Sequence, residues 1–168
     1  ERALLKVVFS PAAENDFATY DLGLGVIERG TNTARVFECA AQNWADLTDR
    51  SGARGLSVLS DSKTGWDKPD EKTFRMTVVH TPKYTRIPGQ AQNLMDMGVN
   101  RYGFAVLPHE GGWQESTQRE ADLYVHPLQA AFVARHRGSG HAFSAASVTD
   151  GVLVRCLKKE HSGDKVVL

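Results

Sequence analysis

Gly55-Leu56-Ser57-Val58-Leu59-Ser60-Asp61-Ser62-Lys63-Thr64-Gly65-Trp66-Asp67 is the stretch that decides the fold class. Its first five residues make a short apolar run of strand length, and Ser62-Lys63-Thr64-Gly65 supplies the turn chemistry that ends it. The same pairing of run and turn recurs outward in both directions. Leu4–Phe9, Thr73–Val79, Arg101–Leu107 and Val152–Leu157 read as further strands. Tyr20-Asp21-Leu22-Gly23-Leu24-Gly25-Val26-Ile27 alternates with period two, which predicts one half-buried strand. Arg29–Asn32, Glu110–Gly112, Ser139–Gly140 and Ser162–Asp164 mark turns between the runs. Many short strands separated in this way predict an all-β fold, a β-sandwich. One segment departs from it. Trp113, Thr117, Ala121 and Tyr124 recur at helical spacing on one face, so a short helix is predicted from Trp113 to Tyr124, stopped by Pro127. Gln90–Met97 is closely bracketed by Gly89 and Gly98 and reads as loop. The connections Thr81–Gly98 and Ala134–Ser147 are long, and long loops in compact domains serve function or pack on another body.

The bulk numbers set bounds on this reading. A chain of 168 residues, 41% hydrophobic, can bury one real core. Lys plus Arg equals Asp plus Glu at 20 each, and no basic stripe breaks the balance, so nothing electrostatic points to nucleic acid. The uncharged apolar runs are only a few residues long, far short of the roughly 20 needed for a membrane helix. The chain opens inside a strand-like run and closes on Lys165-Val166-Val167-Leu168, another apolar run. Natural ends are usually polar, so the expectation is a single domain over 1–168, cut from a longer polypeptide. Cys39 and Cys156 read as buried or half-buried thiols. Their pairing stays open, and no CxxC suggests zinc.

The residues alone carry no complete metal or catalytic motif. The six histidines (His80, His109, His126, His136, His141 and His161) form neither HExxH nor HxH. Asp61–Asp67 has the outline of a calcium loop, but Lys63 stands where an oxygen ligand is needed and the closing glutamate is missing. No metal or cofactor is therefore assigned to these residues. GxSxG is absent, and Gly23-Leu24-Gly25 lacks the third glycine of a dinucleotide fingerprint. A carboxylate pair for glycoside cleavage cannot be picked without geometry. Trp66 beside its turn reads in two ways, as an exposed ring that stacks on a sugar or as packing beneath the loop. In Pro108-His109-Glu110-Gly111-Gly112-Trp113, His109 is expected to satisfy loop backbone groups while Trp113 anchors the helix to the sandwich.

A series of local strings carries the reading further. In order they are Leu4-Leu5-Lys6-x-x-Phe9, Ala18–Arg29, Trp44-Ala45-Asp46-Leu47-Thr48-Asp49, Gly55–Asp67, Thr81-Pro82-Lys83-Tyr84, Asp96-Met97-Gly98, Tyr102–Trp113, Ala121–Leu128 and Val152–Lys159. Together they resemble the C-terminal region of glycoside hydrolase family 38, the α-mannosidases, and most closely its bacterial and cytosolic-type branch. The resemblance implies a supersandwich of the galactose-mutarotase-like kind. It places this chain after a catalytic α/β domain and a helical bundle of the same polypeptide, which would be its partners in acting on α-mannosides. It also implies retaining hydrolysis with an aspartate nucleophile, an acid/base carboxylate and a divalent metal, commonly zinc. Those motifs belong to the N-terminal domain of the family and match no position here, so no catalytic residue and no metal ligand is carried over. His80 stands where relatives often place an arginine, at a strand end that can approach the catalytic domain. It is the first candidate to touch substrate, with Lys63 and Trp66 on the neighbouring hairpin as further candidates. A homo-oligomer is in keeping with the family. The compartment is not readable here, although the branch resembled favours the cytoplasm. If the last strands of the sheet are missing, an exposed edge is expected to promote pairing between copies. The alternative reading is a free-standing carbohydrate-binding β-sandwich, which would need a platform of exposed aromatics drawn from only 3 Trp and 4 Tyr.

Overall fold

A computed structural model describes residues 3–81, 98–134, 138, 144, 146–149, 151, 152, 154 and 156–167. They fall into two compact units, 1–129 and 130–168. In the first unit nine strands run in chain order: β1 (Ala3–Phe9), β2 (Phe17–Asp21), β3 (Val26–Gly30), β4 (Cys39–Ala40), β5 (Trp44–Thr48), β6 (Arg54–Ser60), β7 (Gly65–Asp70), β8 (Thr73–Thr81) and β9 (Phe104–Glu110). A 3₁₀ turn, Trp113–Glu115, leads into the helix α1, Thr117–Val125. The strands pair antiparallel in two sheets, β1-β8-β7-β4 and β3-β2-β5-β6-β9.

Alternation along the strands builds the core. Phe9, Trp66, Phe74, Met76 and Val78 of the first sheet meet Ala18, Tyr20, Ala45, Leu47 and Val58 of the second in one buried cluster. Trp66 is central to it. Its ring stacks on Phe74 at 5.9 Å and on Phe9 at 6.3 Å, and Phe9 also meets Phe74 and Phe104 at 5.5 Å each. Offset and tilted rings at such separations bury large apolar area and add pair energy beyond it. On the outer face of the five-stranded sheet lies a second, smaller cluster. Trp44, Leu59 and Ala121 form its centre, with Ala105, Trp113 and Tyr124 packed around them. The helix is therefore a third layer, and its Trp113–Thr117–Ala121–Tyr124 face is the one that docks, as its spacing predicts.

Several expected elements shift. Tyr20–Ile27 is a hairpin and not one strand. β2 ends at Asp21 and β3 starts at Val26, with Leu22 N–H donating to the Gly25 carbonyl at 2.8 Å. Gly23 holds φ +85°, and its N–H donates to the Asp21 carboxylate at 2.8 Å, so the glycines serve a turn. β9 starts three residues later than the Arg101 expected. The helix breaks at Ser116 into a 3₁₀ turn and an α segment. β5 and β7 are strands that the apolar pattern misses, because Asp46, Asp67 and Lys68 are charged and yet buried. In the second unit the regular structure described is one hairpin, β10 (Lys158–Lys159) with β11 (Val166–Val167), and the expected turn at Ser162–Asp164 lies within it. The described positions of Val152–Leu157 carry no strand. The connection beyond Thr81, the Gln90–Met97 segment and most of the Ala134–Ser147 connection lie outside the described residues. Both thiols are free, with Cys39 half-buried and Cys156 exposed.

Candidate functional site

One end of the sandwich collects most of the unspent polar chemistry. β6 finishes at Ser60, the chain crosses to the other sheet through 61–64, and β7 begins at Gly65 opposite Thr77 of β8. β8 then runs on to His80 at that end, where it pairs with Leu4 of β1. β9 starts at the same end, since Phe104 pairs with Ser60. The crossing loop is fixed by the buried Ser60 hydroxyl, which accepts the Lys63 backbone N–H at 3.0 Å. Lys63 Nζ stands 5.8 Å from the centre of the Tyr102 ring, within cation–π range. Gly103 brings the neighbouring side chains close: a Cβ there would lie 2.8 Å from the Tyr124 hydroxyl and 3.9 Å from the Asp61 carboxylate. Partial burial, and then the Asp61 charge, raise the Tyr124 phenol above its ordinary pKa.

The sequence candidates separate here. His80 and Lys63 share this end of the fold, and His80 is exposed. Trp66 does not join them. Strand alternation turns it inward between Gly65 and Asp67, with none of its surface exposed, so its reading as a sugar platform is corrected to a core residue. Sequence reasoning missed Asp61, Tyr102 and Tyr124 as members of this cluster. Tyr124 carried a signal, as the last residue of the helix's apolar face, but only the docked helix brings its hydroxyl to Gly103. The cluster offers a carboxylate, an ammonium and two phenols, and the His80 imidazole lies at the same end of the fold. Such groups can donate hydrogen bonds to, and accept them from, hydroxyl groups.

Two other polar groupings are committed to structure. On the outer face of the four-stranded sheet, Arg75 clamps Asp67 through both Nε, at 2.9 Å, and a terminal nitrogen. Lys6 Nζ reaches Asp67 at 3.4 Å and Glu38 at 2.5 Å, and Asn32 donates to Asp67 at 2.9 Å. Burial alone would raise the Asp67 carboxyl, but Arg75, Asn32 and Lys6 outweigh it and hold the group below the usual carboxylate range. The charges cancel pairwise, which leaves no net charge for a ligand.

The second grouping lies under α1. His109 Nε2 is 2.7 Å from Asp46 Oδ2, and His109 Nδ1 is 3.2 Å from the Gly111 carbonyl, so the loop role expected of His109 is present with a carboxylate added. Thr48 donates to Asp46 Oδ1 at 2.6 Å, Ser57 donates to Oδ2 at 2.8 Å, and Ser57 meets Thr117 of the helix at 2.6 Å. His109 also explains a glycine, because a Cβ at Gly55 would lie 2.6 Å from its ring. A serine, a histidine and an aspartate are thus in contact. Asp46, however, lies between the other two, and Ser57 is buried and donates to the acid rather than to the base, so no activated nucleophile results. Among the described residues no group of three or more His, Cys, Asp and Glu could hold a metal ion.

Two antiparallel sheets around one aromatic core, with a helix packed on the outer face of one of them, define a β-sandwich domain. Residues 1–96 match the model of the glycosyl hydrolases family 38 C-terminal domain, and the chain belongs to that family. It is 30% identical over 122 residues to an alpha-mannosidase of Saccharomyces cerevisiae, covering 70% of this chain and 10% of that protein. It is 27% identical over 155 residues to alpha-mannosidase 2C1 of Homo sapiens, covering 89% of this chain and 14% of that protein. Among solved structures, an alpha-mannosidase from Enterococcus faecalis superimposes with a TM-score of 0.71 at 16% identity, over 81% of this chain and 16% of that one, which shows the fold. The chain therefore spans about one seventh or less of the curated relatives it matches.

Proposed function

We propose that this chain serves as the C-terminal sandwich of a longer, retaining α-mannosidase and supports the catalytic domain of the same polypeptide. The match of residues 1–96 to the family's C-terminal domain is the observation that carries the reading. In this proposal the carboxylate pair and the divalent metal, zinc by resemblance, belong to the catalytic domain. This chain supplies packing and the polar end around His80 and Lys63. His80 is exposed at a strand terminus, where its ring nitrogens are free to bond a sugar hydroxyl or the catalytic domain's surface. In this proposal residues 130–168 are part of the family's C-terminal region as well.

Hydrolysis of a chromogenic α-mannoside by the 168-residue chain and by the full-length protein tests the assignment. Activity is expected only in the full-length protein, lost on chelation and restored by zinc. Turnover by the short chain alone would overturn the reading. His80→Ala in the full-length enzyme is expected to lower kcat/KM by roughly tenfold, the scale of one lost hydrogen bond. Unchanged kinetics would remove His80 from the site while leaving the family assignment intact.

A further inference from the structure

Within the first unit, the described residues cover the outer face of the five-stranded sheet only in part. α1 packs on β5 and β6, and beside it a groove of about 310 Å³ opens between the 3₁₀ turn and the β2–β3 hairpin. Thr19 and Thr48 contribute to its floor, and its walls carry the rings of Phe17 and Trp113 and the polar ends of Glu28 and Gln114. This volume lies at the lower end of the range for small-molecule sites, about 300–1,000 Å³.

We propose that this groove binds a neutral pyranose ring. Phe17 is 53% exposed although it begins a strand whose next four residues are buried, so its ring is presented to the groove rather than to the core. Trp113 is a preset wall. It packs tilted against Trp44 at 4.9 Å, and Trp44 is locked in turn by its indole N–H donating to Gln118 at 3.1 Å. Two aromatic rings offer apolar faces to the C–H side of a sugar, while Glu28 and Gln114 offer acceptors and a donor to its hydroxyls. Asn15 and Asp49 also line the groove, but each is occupied. Asn15 bonds the Thr48 carbonyl and the Phe17 N–H, and Asp49 bonds Ser51 and the Ala53 N–H. They shape the walls and leave Glu28 and Gln114 for a ligand. Among the described residues no lysine, arginine or histidine lines the groove, which argues against an anionic ligand. The site is independent of the polar end around His80 and Lys63, because it adjoins the β5–β6 turn at the opposite end of those strands.

Tryptophan fluorescence reads this proposal directly. Of the three tryptophans Trp44 and Trp66 are fully buried, so protection from acrylamide quenching reports on Trp113. Methyl α-mannopyranoside and methyl β-glucopyranoside serve as neutral probes and a short lysine peptide as the cationic control. Saturable protection by a neutral pyranoside is expected, weakened roughly tenfold in Phe17→Ala and less in Glu28→Gln, with circular dichroism unchanged because both side chains are on the surface. Saturation-transfer NMR of the sugar ring protons gives a second readout of the same contact, expected to fade in Phe17→Ala. Absence of saturable protection by either sugar would overturn the proposal. So would protection by the peptide alone, or sugar protection undiminished in Phe17→Ala.

Discussion

Tyr20 and Trp66 carry polar atoms into the aromatic core without hydrogen-bond partners among the described residues. Burial, and after it the neighbouring Cys39, push the Tyr20 phenol far above its ordinary pKa, which records how poorly this environment would tolerate a charge. An unpaired buried hydroxyl costs desolvation and returns nothing. Tyr20→Phe is therefore expected to leave stability unchanged or to raise it by about 1 kcal/mol, as read by urea unfolding. A loss of more than about 1 kcal/mol would mean that the hydroxyl is bonded after all. Residue identity alone says little here, since tyrosine in a strand is equally at home facing water. The same ambiguity governed Trp66. Its type suited a sugar platform and a core anchor equally well, and its position between Gly65 and Asp67 became decisive only once the pairing with β8 was known.

The charged strands β5 and β7 show what an element can hide. By apolar periodicity neither looks like a core strand, because Asp46, Asp67 and Lys68 interrupt the pattern. The two buried acids are answered from other strands, Asp46 by His109 and Ser57 and Asp67 by Arg75, Lys6 and Asn32, whereas the Lys68 ammonium donates to the Asp70 carbonyl two residues along its own strand. The Asp67 grouping has a consequence for pH. Its carboxyl is held below the ordinary value of 3.8, so on acidification the unfolded chain takes up that proton first. The stabilisation is fully present above the ordinary carboxylate pKa and is lost as pH falls through the lower folded value. In Asp67→Asn the acid limb of the stability curve should flatten, and stability at neutral pH should fall. Unfolding midpoints followed from neutral pH into the acid range measure both. An unchanged acid limb would show that Asp67 does not contribute to it.

For the molecule as a whole, the uncovered surfaces matter most. Among the described strands β1 and β9 lie at the edges of their sheets, and Leu4, Leu5, Val8, Phe104 and Val106 on them are exposed. Apolar edge strands of this kind pair readily with another chain. The 168-residue chain is expected to self-associate as its concentration rises, and Val106→Lys, placing a charge on the β9 edge, to reduce that association. Size-exclusion chromatography giving a clean monomer at high concentration would count against it.

Much of the architecture is written in local pattern. The strands β1, β6 and β8, the turn after β6 and the apolar face of the helix all follow from periodicity and turn chemistry, because these depend on neighbours a few residues apart. The family was legible too, through the order of short strings along the chain. The structure decided the rest: which face Trp66 takes, that Tyr20–Ile27 folds back as a hairpin, how the buried acids are answered, and that Asp61, Lys63, Tyr102 and Tyr124 gather at the end of the fold where His80 also lies. The hairpin is closed by its own local turn at Gly23, and the other outcomes depend on strand register and helix docking, which bring together segments that local pattern does not pair. A residue's own type and its immediate neighbours do not encode which distant surface it will meet.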